Sequence, residues 1–455
     1  MRFCRSRAIL LGAVAIVGST IAVTWSQDWF SPPPSPPAGD SEFVAVDTHI
    51  PVRPDSEGPY EPYKYQLTTD QTIRVFEGRV QEDPNHLNLI QLGGLYIRKA
   101  KEVGDHTAYV KAEATFRRAI KISPKHRDAR VGLAIASCGR HKFAEGEQIA
   151  LGVYKDDPSA LDALVVVADA RVELGNYTGA EEAIQKLEQT CANPPPPAIQ
   201  ARVARLAELK GDPSRAALLL RQATETIQSG QDSKESKAWY PMRLGEVLLM
   251  QGKLDEAAAQ LRESLKGHPD SPAALALLGR VRAAQGQHAE AIALCEKAVR
   301  RTPDVATLVF LGDLRIRAHE EALAKLFHDT VEEADREPVG SRDLVLYYCD
   351  HNRKLSRALE LAEAEAKARK DVYTCDALAW ALFKNGKLQE AERMTTESLR
   401  LGTKDALLLY HAGVIAHAAG HIEKARDYLR QSLAINPYFS EPFAREAAQL
   451  LKPAS

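Results

Sequence analysis

The chain has 455 residues, of which 45% are hydrophobic, 6% aromatic and 26% charged, and the dominance of Ala, Leu, Glu, Arg and Lys after residue 85 predicts helix throughout the body. Fifty-nine basic residues stand against 61 acidic ones for a net charge of −2, so no overall field draws in a polyanion and a general nucleic-acid role is excluded. Six cysteines, at 4, 138, 191, 295, 349 and 375, form no C-x-x-C pair and no metal spacing with His; small buried thiols are expected, with Cys349 and Cys375 on neighbouring helices should an oxidising compartment pair two of them.

Residues 1–7 form a basic tail. Arg2, Arg5 and Arg7 precede an uncharged apolar run from Ala8 to Trp25, and the first acid is Asp28. The basic end should stay in the cytoplasm with the body on the far side of a membrane. As a helix, residues 8–25 rise about 27 Å, close to the roughly 30 Å hydrocarbon core, which fits a transmembrane anchor. Thr20 and Ala22, or Thr24 and Ser26, would suit a signal peptidase, so export to the periplasm or secretion after signal cleavage is the alternative. Cys4 precedes the run instead of following it, which argues against a lipoprotein. Residues 26–67 are Pro-rich, including Ser31-Pro-Pro-Pro-Ser-Pro-Pro, and read as a stiff extended linker, with a Pro-rich ligand for an aromatic-lined domain as the second reading.

Residues 68–85 read as a capping helix, residues 86–439 as a repeat array and residues 440–455 as a terminal capping helix and tail. The repeat has a period of 34. Gly245, Gly252, Ala257, Ser264 and Pro269 align with Gly279, Gly286, Ala291, Ala298 and Pro303 at that offset. Ala379, Gly386, Ala391 and Ser398 align with Gly413, Gly420, Ala425 and Ser432. Units are expected to start near His86, Arg127, Leu161, Pro197, Ala238, Pro272, Val305, Val339, Val372 and Ala406. The first has a long turn from Lys101 to Tyr109, a polar loop runs from Thr226 to Ser236, and two units carry His319 and Arg353 where Gly is expected.

These residues resemble the tetratricopeptide repeat, with a small residue at position 8, Gly near 15, Ala at 20, a small residue at 27 and often Pro at 32. Small side chains let neighbouring helices approach, Gly ends helix A in a left-handed cap, and Pro stops helix B. Asp371-Val-Tyr-Thr-Cys-Asp-Ala-Leu-Ala-Trp-Ala-Leu and Lys111-Ala-Glu-Ala-Thr-Phe-Arg-Arg-Ala are also similar to segments of uncharacterised bacterial tetratricopeptide proteins, membrane-anchored or exported. The resemblance implies an all-α, right-handed α-solenoid of about ten helix-turn-helix repeats. It also implies that certain positions of helix A line a concave groove for a peptide or protein. Carried over, these are Trp239, Met242, Arg243, Glu246 and Met250; Arg280; Phe310, Asp313 and Arg317; Tyr373, Asp376, Trp380, Phe383 and Lys384; and Tyr410, His411 and His417. Trp380 and Phe310 have a plainer reading, as packing against the next superhelical turn. The carboxylate clamp of chaperone-binding members needs Lys at position 5 and Asn at position 9, and neither occurs in any unit.

Catalytic signatures are missing from the sequence. It has no Gly-x-x-x-x-Gly-Lys-Ser/Thr, no His-Glu-x-x-His and no Gly-x-Ser-x-Gly. His417 and His421 are four apart, yet Gly420 puts them on either side of a predicted turn, so no metal or other cofactor is expected. The expected function is a non-catalytic interaction scaffold with a protein or extended peptide in its groove and a membrane bound through residues 8–25. The alternative is an accessory protein guiding an extended polymer such as an exported polysaccharide.

Overall fold

In the computed structural model, residues 14–17, 20–23 and 67–452 are described, apart from 104–105, 192, 229–231, 233, 334 and 336–341. Within the apolar N-terminal run, Val14–Val17 (β1) pairs antiparallel with Thr20–Val23 (β2). The backbone there is extended where a continuous helix was expected, and the β-branched Val, Ile and Thr side chains of these strands favour that form. The basic tail, the remainder of residues 8–25 and the Pro-rich linker lie outside the described residues. Among the described residues, no helix is long and apolar enough to cross a membrane.

The body is helical from Thr69 onward. Helix α1 (Thr69–Glu82) begins at a capping box, in which the Thr68 hydroxyl accepts from Gln71 N–H and the Gln71 side chain accepts from Thr68 N–H. Ten helix pairs follow. They are α2 (His86–Val103) with α3 (His106–Ile122), α4 (Arg127–Gly139) with α5 (Phe143–Asp156), and α6 (Leu161–Glu173) with α7 (Tyr177–Thr190). Next come α8 (Pro197–Leu209) with α9 (Pro213–Gln228), α10 (Lys234–Met250) with α11 (Leu254–Gly267), and α12 (Pro272–Ala284) with α13 (His288–Arg301). The last four pairs are α14 (Val305–Arg317) with α15 (Glu321–Glu333), α16 (Arg342–Asp350) with α17 (Leu355–Ala368), α18 (Val372–Lys384) with α19 (Leu388–Ser398), and α20 (Ala406–Ala418) with α21 (Ile422–Ile435). Helix α22 (Glu441–Leu450) closes the array.

The repeat residues act locally as their chemistry requires. Gly175, Gly211, Gly252, Gly286, Gly386 and Gly420 all take φ between 70° and 81° at the turn inside a pair, the left-handed cap that ends helix A. A Cβ on Gly245, Gly279 or Gly413 would strike Leu261, Cys295 or Leu429 of its own helix B, so the small residue sets how closely the two helices pack.

Four details differ from the sequence reading. The first turn is short, because α2 continues to Val103 and α3 resumes at His106. Helix α10 starts at Lys234, a turn before Ala238, and contains Pro241; the missing N–H frees the Lys237 carbonyl, which accepts from the Gln228 side chain at 3.4 Å. Helix α16 starts at Arg342 instead of Val339. In that unit the left-handed residues are Asn352 and Lys354, at φ 50° and 40°, and not Arg353; Asn tolerates this region better than most side chains. His319 does take the left-handed turn of its unit, at φ 59°.

The solenoid winds tightly enough to stack on itself. Turns of the third, fourth and fifth pairs meet the chain entering the ninth and tenth pairs and α22, six units later. Lys370 N–H donates to the Glu173 carbonyl at 3.2 Å, and Val372 N–H donates to the Tyr177 hydroxyl at 2.9 Å. The Thr403 hydroxyl donates to the Leu209 carbonyl at 2.5 Å, and Asn436 Nδ2 donates to the Leu249 carbonyl at 2.9 Å. Between the two coils Arg369 and Glu173 form an ion pair at 3.0 Å, their side chains 2% and 3% exposed.

Candidate interaction cavity

Because the coils stack, the inside of the superhelix holds a cavity of about 1300 Å³. Its walls come from α2, α4, α10, α12, α14 and α16, with α22 at the C-terminal end. Eight of the groove residues expected from sequence line it together: Trp239, Met242, Glu246, Met250, Arg280, Phe310, Asp313 and Arg317.

Their environments differ. The Arg280 guanidinium lies over the Phe310 ring at 4.6 Å and donates to the Ala306 carbonyl at 3.0 Å, which leaves an aromatic face and a cation side by side on the wall. Arg317 pairs with Glu441 of α22 at 2.6 Å, across the C-terminal end of the cavity. Trp239 packs edge-on to Tyr240 at 4.9 Å and is largely buried. Arg243 sits behind the wall, buried between Glu208 and Glu246, the latter at 2.8 Å. Burial alone would favour a protonated Glu208, but Arg243 and Arg205 hold its carboxyl below the ordinary range.

The expected residues of the ninth and tenth pairs are engaged elsewhere. Tyr373 lies between the Arg205 and Arg342 guanidinium groups, at 5.3 and 5.5 Å, in the seam between coils. Trp380 is buried; its Nε1 donates to Asp350 at 2.8 Å and its ring stacks on His411 at 4.3 Å and on Phe383 at 5.3 Å. Lys384 reaches Asn352 at 2.8 Å and covers the Trp380 ring. His411 is fully buried and pairs with Asp376 at 3.0 Å. Burial opposes its charge, yet Asp376 lifts its pKa above the usual histidine value. The Tyr410 hydroxyl donates to Glu446 of α22 at 2.8 Å, and its ring stacks on Phe443. These side chains hold consecutive units together.

The five cysteines of the described body are unpaired, and burial pushes the thiols of Cys295 and Cys349 up to about 12, far from a reactive thiolate at neutral pH. His421, beyond the turn that separates it from His417, meets Glu392 of α19 at 3.0 Å. A different group escapes motif searching: Asp313, His328 and His351 offer three donor atoms within 4.8 Å of one another. They come from α14, α15 and the turn after α16, so no short spacing announces them. The available signal is His328 itself, an imidazole at the helix B position where other units place Leu261, Cys295 or Leu429.

The tetratricopeptide-repeat family model matches residues 242–306 and 377–438. A search of curated protein sequences returns no match. Among solved structures, a tetratricopeptide repeat protein from Parabacteroides merdae is 18% identical, over 55% of this chain and 97% of its own, with a TM-score of 0.33. Yeast Tom70 is 13% identical over 84% of this chain and 91% of its own, with a TM-score of 0.36. Human IFIT1, solved as a dimer with PPP-AAAA, is 14% identical over 81% and 95%, with a TM-score of 0.43. With TM-scores this low, the likenesses say nothing of what this chain binds. The 34-residue period, the ten helix pairs with their glycine turns, and the family-model match identify the chain as a tetratricopeptide-repeat protein, by its fold a protein-interaction scaffold.

Proposed function

We propose that this chain is an extracytoplasmic scaffold, tethered through its apolar N-terminal segment, that holds an extended segment of a partner protein inside its superhelix. The observation that carries the reading is the cavity. At about 1300 Å³ it exceeds the roughly 300–1,000 Å³ typical of small-molecule sites. Its wall combines Trp239, Phe310, Arg280, Arg317 and Asp313, aromatics and charges of both signs, which suits a polypeptide with mixed side chains. The tether rests on Arg2, Arg5 and Arg7 ahead of the apolar run from Ala8 to Trp25.

The test places a photo-crosslinking phenylalanine analogue at Phe310 in the full-length chain, in its native membranes, with a control at Leu218, which is 55% exposed. The expected result is a polypeptide adduct from position 310 and none from 218, with an intact N-terminus by mass spectrometry. Equal adducts at both positions would remove the cavity from the proposal; a glycan adduct at 310 would favour the polymer-guiding alternative. A cleaved N-terminus would replace the tethered form by an exported one.

A further inference from the structure

Helix α15 carries a polar ring in an apolar slot. The equivalent side chains Leu261, Cys295 and Leu429 pack on Gly245, Gly279 and Gly413, and His328 packs in the same way on Gly312. The His328 residue is only 6% exposed, and its Nε2 has no hydrogen-bond partner. A buried polar atom left unpaired costs stability, so a ring of this kind calls for a ligand. Gly312 leaves room beside it, since a Cβ there would come within 2.6 Å of Nε2.

Around that nitrogen the donors converge. His328 Nε2 lies 3.9 Å from Asp313 Oδ1, and His351 Nε2 lies 2.9 Å from the same oxygen. Tyr347 holds both imidazoles from behind. Its hydroxyl meets His328 Nδ1 at 3.1 Å, and its carbonyl accepts from His351 Nδ1 at 3.0 Å. Arg353 donates to the same hydroxyl at 2.8 Å, which anchors it. With both Nδ1 atoms occupied, both Nε2 atoms face Asp313. Partners on the far nitrogen are how proteins orient metal-binding imidazoles.

We propose that Asp313, His328 and His351 bind a divalent transition ion of the zinc type at the wall of the cavity. Two imidazole nitrogens and one carboxylate oxygen are a zinc-type donor set, whereas calcium and magnesium take oxygen alone. Tetrahedral bonds of about 2.1 Å place ligand atoms roughly 3.4 Å apart, and the two observed separations lie on either side of that value. Three protein ligands leave a coordination position for water or for a donor group of the partner segment, and Asp313 is itself a cavity-lining residue. This inference goes beyond the scaffold reading and stands whatever occupies the cavity.

The experiment uses the untagged full-length chain, freed of metal by chelator, titrated with Zn²⁺ by calorimetry and with Co²⁺ by visible absorption. One equivalent of Zn²⁺ is expected, with the intense Co²⁺ bands of a four- or five-coordinate site. His328→Leu installs the side chain that Leu261 and Leu429 supply elsewhere, so the helix pair should be kept; Zn²⁺ affinity should fall by about 100-fold or more while the melting temperature is maintained. Tyr347→Phe should weaken binding by about 10- to 100-fold through the lost partner of His328 Nδ1. Absence of a Zn²⁺ equivalent in the wild type, or unchanged affinity in His328→Leu, overturns the proposal. If His328→Leu does not fold, Asp313→Asn, on a partly exposed side chain, is judged by the same criterion.

Discussion

Glu113 shows how a single side chain ties two repeats together. It projects from α3, 6% exposed, toward three cations: Arg117 at 2.7 Å, Arg140 at 2.5 Å and Lys142 at 3.0 Å, the last two in the turn of the next pair. Burial alone would raise its pKa, but the hydrogen bonds from these cations hold the carboxyl down at about 2. A carboxyl whose folded pKa lies below its unfolded value stabilises the fold above the unfolded pKa, and that contribution fades as pH falls through the folded one. Glu113→Gln should therefore lower stability by about 2 kcal/mol at pH 7, and the gap from wild type should close between about pH 4.5 and pH 2. Thermal melts of both proteins across that range decide it; a gap independent of pH would show that packing, not charge, is at stake. The sequence placed Glu113 on a helix beside Arg117, yet gave no hint of Arg140 and Lys142, because contacts between repeats depend on how the pairs dock. Trp380 illustrates the same limit. Its position on helix A was legible, but its bond to Asp350 and its stack on His411 depend on residues one unit to either side.

At the scale of the element, the repeat pattern was legible because it is made of backbone demands. Gly at the turn and a small residue at the closest approach of two helices are local requirements that recur every 34 residues, so they survive even where other positions drift. What drifted was legible only in part: His319 takes the left-handed turn, whereas in the next unit that role passes to Asn352 and Lys354. The glycines themselves fall into two kinds. Gly386 has φ 75° with open space where a Cβ would go, while Gly175 has φ 72° with the Lys370 carbonyl and the Arg400 guanidinium pressed against it. Gly386→Ala should cost only the left-handed backbone penalty, about 1–2 kcal/mol. Gly175→Ala should cost that plus about 1–3 kcal/mol, because the second coil must move aside. Urea unfolding of the two variants measures the difference, and equal costs would mean that the coils are not pressed together at that turn.

For the whole molecule, the stacking of coils changes what kind of object the solenoid is. A repeat array whose units touch only their neighbours unfolds piecewise, and a weak unit in the middle lets the two ends melt separately. The pairs from α14 to α17 are such a place, with degenerate turns and an α16 of only 9 residues. The contacts six units apart bypass it, joining the third to fifth pairs directly to the ninth, the tenth and α22. No sequence period encodes these contacts, since Arg369, Thr403 and Asn436 lie in connections between units, where the repeat imposes little. Arg369 matters most among them: removing it leaves Glu173 buried without its guanidinium, a loss of about 3–5 kcal/mol for a buried pair. Trp239 in the fifth pair and Trp380 in the ninth report on the two coils. With Trp25 and Trp29 replaced by Phe and both Trp239 and Trp380 kept, the tryptophan fluorescence should follow urea in a single transition at the midpoint of the far-UV circular dichroism, because the stacked coils unfold as one. Adding Arg369→Ala should split that transition in two, with each coil following its own stability. A single transition in the Arg369→Ala chain would place the coupling in the neighbour contacts along the array, and separate transitions without that substitution would mean that the coils do not act as one body.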